Sequence, residues 1–411
     1  MIYLLIGPPG LFFIFRVLFP SVWCFDFLIT HDPIHKYYEI VLLHLMYLFL
    51  EGFLTISLMI YIVNKVGKYR KYRDNQVHID NKDREAKKYA FVALLGLLIF
   101  LGFNFNTLPI FMDGGSDAMV ALGEKQKINT WFMYGMLSML STLLLFSIVS
   151  IKSKGGKYIY GFVLLLFSLV TGKKAALIGI LSTAVFVYFV INSKKPSLPL
   201  IKITIFLILS LLFIVFQLSQ TSSVNVNYFD TIAIVMNLTY SSFTSYLVQF
   251  ISMEGLEFAQ MYSDSLGDGG PIVYILNSFT KILFGIGIEK SIGPYMMYQF
   301  YGSEFPNGVN PTLFFETIFI FGSHTAAIIS FINLIIIFML AKMFIKKVFI
   351  NIDKSILLTI TFFGLFTSAF IYTSDTLYAM RILPFTLLPM IWYYLVVFFR
   401  TLSSKNKSTL R

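Results

Sequence analysis

The chain has 411 residues, of which 57% are apolar and only 13% charged, and its mean hydropathy is +0.77. Soluble domains run at roughly 45–50% apolar and about 25% charged, so this composition excludes an ordinary water-soluble enzyme and predicts an integral membrane protein. A single cysteine, Cys24, excludes an intrachain disulfide and any Cys-based metal or iron–sulfur site. The formal charge of +11 reads as basic loops facing a cytoplasm bounded by anionic lipid, not as a nucleic-acid surface.

The N-terminus lacks a basic n-region and a small-residue cleavage site, so it reads as a first span and not as a cleaved signal. A span needs about 20 mostly apolar residues. Ten segments meet or approach that: 2–19, 40–63, 90–111, 130–150, 157–171, 175–191, 201–217, 312–341, 356–373 and 383–399. The linkers 64–89, 151–156, 192–200, 342–355 and 400–411, with Lys157 and Lys202 at their edges, hold 23 of the 32 Lys and Arg. Every second loop is therefore basic. The positive-inside rule then gives ten spans with both termini in the cytoplasm. The fold class predicted is an all-α polytopic membrane bundle in three parts: 1–217 as an N-terminal bundle, 218–311 as a large external subdomain, and 312–411 as three C-terminal helices with a tail.

Three places depart from plain spans. The segments 157–171 and 175–191 are separated only by Gly172, Lys173 and Lys174. Fifteen helical residues rise about 22 Å, short of a core of roughly 30 Å, which puts two adjacent cations at or below the outer membrane face. The 94-residue stretch 218–311 carries seven acids and only Lys281 and Lys290. Asp230 can cap a helix from Thr231, and Pro271 suits the first position of another that ends near Gly285. Finally, 312–341 holds Glu316, Gly322 and His324, and predicts a short re-entrant or interfacial helix before the crossing.

Several charged residues fall where chemistry could use them. Glu51 lies near the centre of the second span, and His44, seven residues earlier, shares its face. An intramembrane acid marks either a functional site or a protonated carboxyl bonded to a neighbouring helix. Lys173 and Lys174 suit a phosphate or pyrophosphate at the N-terminus of the following helix, or else snorkel to headgroups. Arg381 offers a fixed fork to phosphate oxygens, or pairs with Asp375 six residues before it. Glu316 and His324 are candidate general bases; on one regular helix they would stand about 80° apart. The phosphate-loop look-alike at Gly285–Ser291 fails because Glu289 precedes Lys290 where glycine is required. His31 and His35 have zinc spacing, but Pro33 is expected to start the second helix with Asp32 as its cap, which leaves His31 off that helix.

A bundle of ten or more spans with one large external loop in its second half resembles the bacterial O-antigen (oligosaccharide repeat-unit) polymerases, the Wzy family. The resemblance rests on Thr171-Gly172-Lys173-Lys174-Ala175-Ala176 and on Gly285-Ile286-Gly287. It continues through Asn310-Pro311-Thr312-Leu313-Phe314-Phe315-Glu316 with Gly322, and through Ser374 to Arg381. The family's hairpin usually carries arginine where this chain has Lys173, and its asparagine often follows a histidine where Val309 stands here. That second departure leaves Glu316 or His324 to serve as base.

The resemblance implies a fold of the lipid-phosphate-dependent GT-C glycosyltransferase kind in the bacterial inner membrane, with no metal or cofactor. Its substrate would be an undecaprenyl-pyrophosphate-linked oligosaccharide. The lipid bilayer and a chain-length regulator are the expected partners; nucleic acid is not. Lys173, Lys174 and Arg381 would stabilise the leaving pyrophosphate, and Asn310, Asp375 and Glu51 would complete the substrate site. The long loop would hold the sugars and close as a lid. An O-antigen ligase and a flippase for the same lipid-linked oligosaccharide are the alternatives.

Overall fold

A computed structural model describes Gly10 and residues 13–34, 38–73, 80–103, 144, 155–156, 159–160, 162–163, 255–267, 270, 272–274, 276, 292, 295 and 313–350. Among these residues every regular element is helical.

A π-helical turn at Phe13–Leu18 runs directly into helix α1, Phe19–Thr30. Pro20, in the first turn of α1, removes a backbone donor and crowds the carbonyl four residues back. The wide π turn just before it takes up that break in the hydrogen-bond ladder, so the helix continues where the predicted first span stopped at residue 19. α1 ends at His31, whose backbone is extended (φ −117°) and whose N–H donates to the Phe27 carbonyl at 3.0 Å. The predicted helix start at Pro33 is not found: Pro33 lies in a turn, and the next helix is described from Tyr38. Proline at the second position of a turn has its φ already set, which suits the connection between two packed helices.

Helix α2 spans Tyr38–Arg73, and its portion Tyr38–Lys65 is long and apolar enough to cross a membrane. Val41, His44, Leu48, Glu51, Thr55, Leu58 and Ile62 are buried, spaced alternately by three and four residues. This is one face of a helix. α1 and the π turn both pack against α2. Gly52 lets the π turn approach: a Cβ there would stand 3.0 Å from Val17 Cγ1.

Helix α3 is Asp80–Phe103. The basic linker predicted over 64–89 is thus mostly helical, and only 74–79 falls outside the described residues. Lys, Arg, Glu and Ala are good helix formers, and no proline interrupts the stretch. Both helices therefore run on past their apolar portions.

Helix α4, Gly255–Ser265, belongs to the long segment predicted as external. Helix α5 is Leu313–Phe321, and after a 3-10 turn at His324–Ala326 comes α6, Ala327–Ile350. The predicted pattern over 312–341, a short helix and then a long one, is what the chain forms, with α6 extending nine residues further. Gly322 makes the break. Its φ of +63° is the left-handed conformation that ends helices and that only glycine adopts without penalty. Ser323 then caps the next turn, accepting from the Thr325 N–H at 3.3 Å.

α2 and α6 pack side by side and run parallel. Tyr47 meets Phe331 edge-on at 5.6 Å near their starts, and Lys342 reaches the Tyr61 ring near their ends. α4 packs on α5, and α5 on α6. The predicted limits of the external subdomain, 218 and 311, lie outside the described residues, as do most of the other predicted spans.

Candidate functional site

Glu316 stands in the first turn of α5, inside the unbroken buried run from Phe314 to Phe319. A carboxyl removed from water is costly unless donors meet its oxygens. One donor is Tyr274, whose hydroxyl donates to Oε1 of Glu316 at 2.9 Å. The peptide dipoles of the first helical turn favour the same group.

Tyr274 is itself buried, and its position follows from packing with α4. Its ring meets Tyr262 edge-on at 6.5 Å, and Tyr262 in turn packs on Tyr295 at 4.9 Å and Phe319 at 6.1 Å. Ser263 of α4 donates to the Ile320 carbonyl of α5 at 2.9 Å. Where the two helices cross, a Cβ on Gly322 would lie 3.1 Å from Ser263 Cβ and 3.3 Å from Gln260 Cα. Gly322 is thus required twice, for its dihedral and for its lack of a side chain.

A second polar group faces the start of α5. His44 Nδ1 lies 3.6 Å from the buried Cys24 sulfur of α1, and its ring is 4.9 Å from Phe314 and 5.1 Å from Phe315. His44 therefore packs on the two residues that precede Glu316 in α5. Glu51 is buried on the same stripe of α2 as His44, as their seven-residue spacing predicts, and Thr55 bonds back to its carbonyl at 2.7 Å.

Of the residues singled out by sequence, Glu316 and Glu51 are placed with their side chains, and His324 by its backbone in the turn after Gly322. The 80° separation of Glu316 from His324 does not apply, because the helix breaks between them. Lys173, Lys174, Asn310, Asp375 and Arg381 lie outside the described residues. His31 does stand off the second helix, with its ring stacked on Phe27 at 4.1 Å. Sequence reasoning passed over Tyr274, Tyr262 and α4 itself. The one available signal is the spacing of Ala259 and Tyr262, on the buried face of that helix, and of Leu266 just beyond its end.

A carboxyl oriented by a phenol and set among aromatic rings is a candidate proton acceptor for a hydroxyl that reaches it. No protein-family model, curated protein or solved structure matches the chain.

Proposed function

We propose that this chain is an O-antigen polymerase of the bacterial inner membrane, which joins undecaprenyl-pyrophosphate-linked repeat units on the periplasmic face. One observation carries the reading. The carboxyl offered as general base, Glu316, is buried and oriented by Tyr274, from the long segment expected to hold the sugars.

The membrane setting is supported by the inverted polarity of α2. Its outward face presents Leu42, Met46, Phe49, Phe53, Ile56 and Ile60, between 41% and 69% exposed, while His44, Glu51 and Thr55 point inward. A helix in water shows the opposite arrangement, and polar groups turned into the bundle are the rule in lipid. The parallel course of α2 and α6 supports the ten-span topology, in which five crossings separate the second span from the eighth.

In the proposed reaction the acceptor's terminal hydroxyl oxygen attacks the anomeric carbon of the donor sugar. A new glycosidic C–O bond forms as the bond to the lipid pyrophosphate breaks. Glu316 or His324 takes the hydroxyl proton, and Lys173, Lys174 and Arg381 stabilise charge on the departing pyrophosphate. Asn310, Asp375 and Glu51 help hold the substrate.

Deletion of the gene followed by gel analysis of surface lipopolysaccharide tests the reading. A polymerase leaves core bearing a single repeat unit and no ladder. Bare core with polymer still on the lipid carrier would indicate a ligase, bare core with single units trapped inside would indicate a flippase, and an unchanged ladder would refute all three.

A further inference from the structure

Two cations converge on one ring where α2 and α6 leave their apolar portions. The Lys65 ammonium lies 5.4 Å from the centroid of Tyr61, one turn earlier on α2, and the Lys342 ammonium of α6 lies 5.5 Å from the same centroid. The ring's negative face attracts each cation but carries no net charge to neutralise them. Among the described residues neither ammonium has a carboxylate partner. Lys346, exposed and one turn beyond Lys342 on the same face of α6, extends the row.

The position of the pair says what supplies the missing charge. Lys65 is the last residue of the apolar portion Tyr38–Lys65, and Lys342 is the last but one of Ala327–Met343. Because α2 and α6 are parallel, both lysines stand at one level, where hydrocarbon gives way to headgroups. A lysine that merely snorkels extends to water away from the helix. These two instead gather at one shared ring, Lys65 half-buried and Lys342 exposed.

We propose that Lys65, Lys342 and Tyr61 form a binding site for a phosphate group, filled by the headgroup of an anionic phospholipid. The phosphate oxygens bridge the two ammoniums beside the ring they share. A site of this kind ties the parallel pair α2–α6, and with it His44 and the start of α5, to the leaflet surface. The lipid source rests on the membrane reading above; the phosphate chemistry does not.

The test uses the purified full-length chain in detergent, offered phosphatidylglycerol, phosphatidylcholine or inorganic phosphate. Retained lipid is counted by native mass spectrometry, and phosphate binding is read by phosphorus NMR line broadening. One basic residue near a surface is worth roughly a factor of five in anionic-lipid affinity, so Lys65→Gln/Lys342→Gln should weaken phosphatidylglycerol retention about thirtyfold. Lys405→Gln/Lys407→Gln, which removes the same charge from the tail, should leave it unchanged. Tyr61→Phe should bind as the native chain does, and Tyr61→Leu more weakly. Loss of phosphate broadening in the double lysine variant, with no preference for phosphatidylglycerol, would keep the site and assign it to free phosphate. Equal retention in the native and Lys65/Lys342 chains for all three probes would overturn the proposal, and so would equal losses in the two double variants. Carbonate extraction of the chain from cell membranes would refute the membrane reading alone, leaving the phosphate arm to decide the site.

Discussion

The hydroxyl of Tyr274 and the carboxyl of Glu316 meet at 2.9 Å across 42 residues of chain, both side chains buried. This bond joins the long segment before α5 to the helix pair α5–α6. Removing only the hydroxyl, by Tyr274→Phe, takes a donor from a buried carboxyl, and the expected cost is about 1–3 kcal/mol. Thermal unfolding of the purified chain in detergent measures it. Tyr274→Phe should add little in a Glu316→Leu background, where no acceptor remains for the hydroxyl and the pair is already broken.

If Glu316 is the base, Glu316→Gln should slow polymerisation by about 10²–10⁴-fold. The chain should still accumulate, because the amide oxygen can accept from Tyr274. Polymerisation rates in Glu316→Gln that match those of the native chain across pH would remove Glu316 from that role and leave His324.

Gly322→Ala should destabilise the junction of α4, α5 and α6. A left-handed alanine costs about 1–2 kcal/mol, and the new Cβ also presses on Ser263 and Gln260 at 3.1 and 3.3 Å. Gly102→Ala is the matched control, since a Cβ there meets nothing within 4 Å. In a helix that change should be neutral or stabilising by up to about 1 kcal/mol. Melting temperatures that fall equally for both would disprove the crossing described at Gly322.

Cys24 is fully buried beside His44, and a thiol in such surroundings is inert. Because it is the chain's single cysteine, labelling reports on it alone. A membrane-permeant maleimide should leave the folded chain unmodified and label it fully in SDS. Rapid labelling of the folded chain would show that α1 does not seat against α2 as described.

The proposed reaction assigns charge stabilisation to Lys173 and Arg381. Lys173→Ala and Arg381→Ala should abolish polymer while protein levels in the membrane stay unchanged. A full ladder of chain lengths in both variants would sink that assignment.

Much of the local architecture is written in residue spacing. The break at Gly322 was legible because glycine and polar residues interrupt an apolar run. The shared face of His44 and Glu51 followed from seven residues being nearly two helical turns. Helix ends were less legible. The π turn carries α1 past Pro20, and good helix formers carry α2 and α3 into their basic flanks, both outcomes that an apolar window does not register.

Local spacing thus sets which stretches are apolar, where charge gathers, and which residues of a helix share a face. Those properties depend on neighbours within a turn or two. Long-range packing brings Tyr274 to Glu316, His44 to Phe314 and Phe315, and Lys342 to the Tyr61 ring that Lys65 also meets. Each of these depends on how surfaces far apart in the chain fit together, down to the one missing Cβ at Gly322 that lets α4 close on α5.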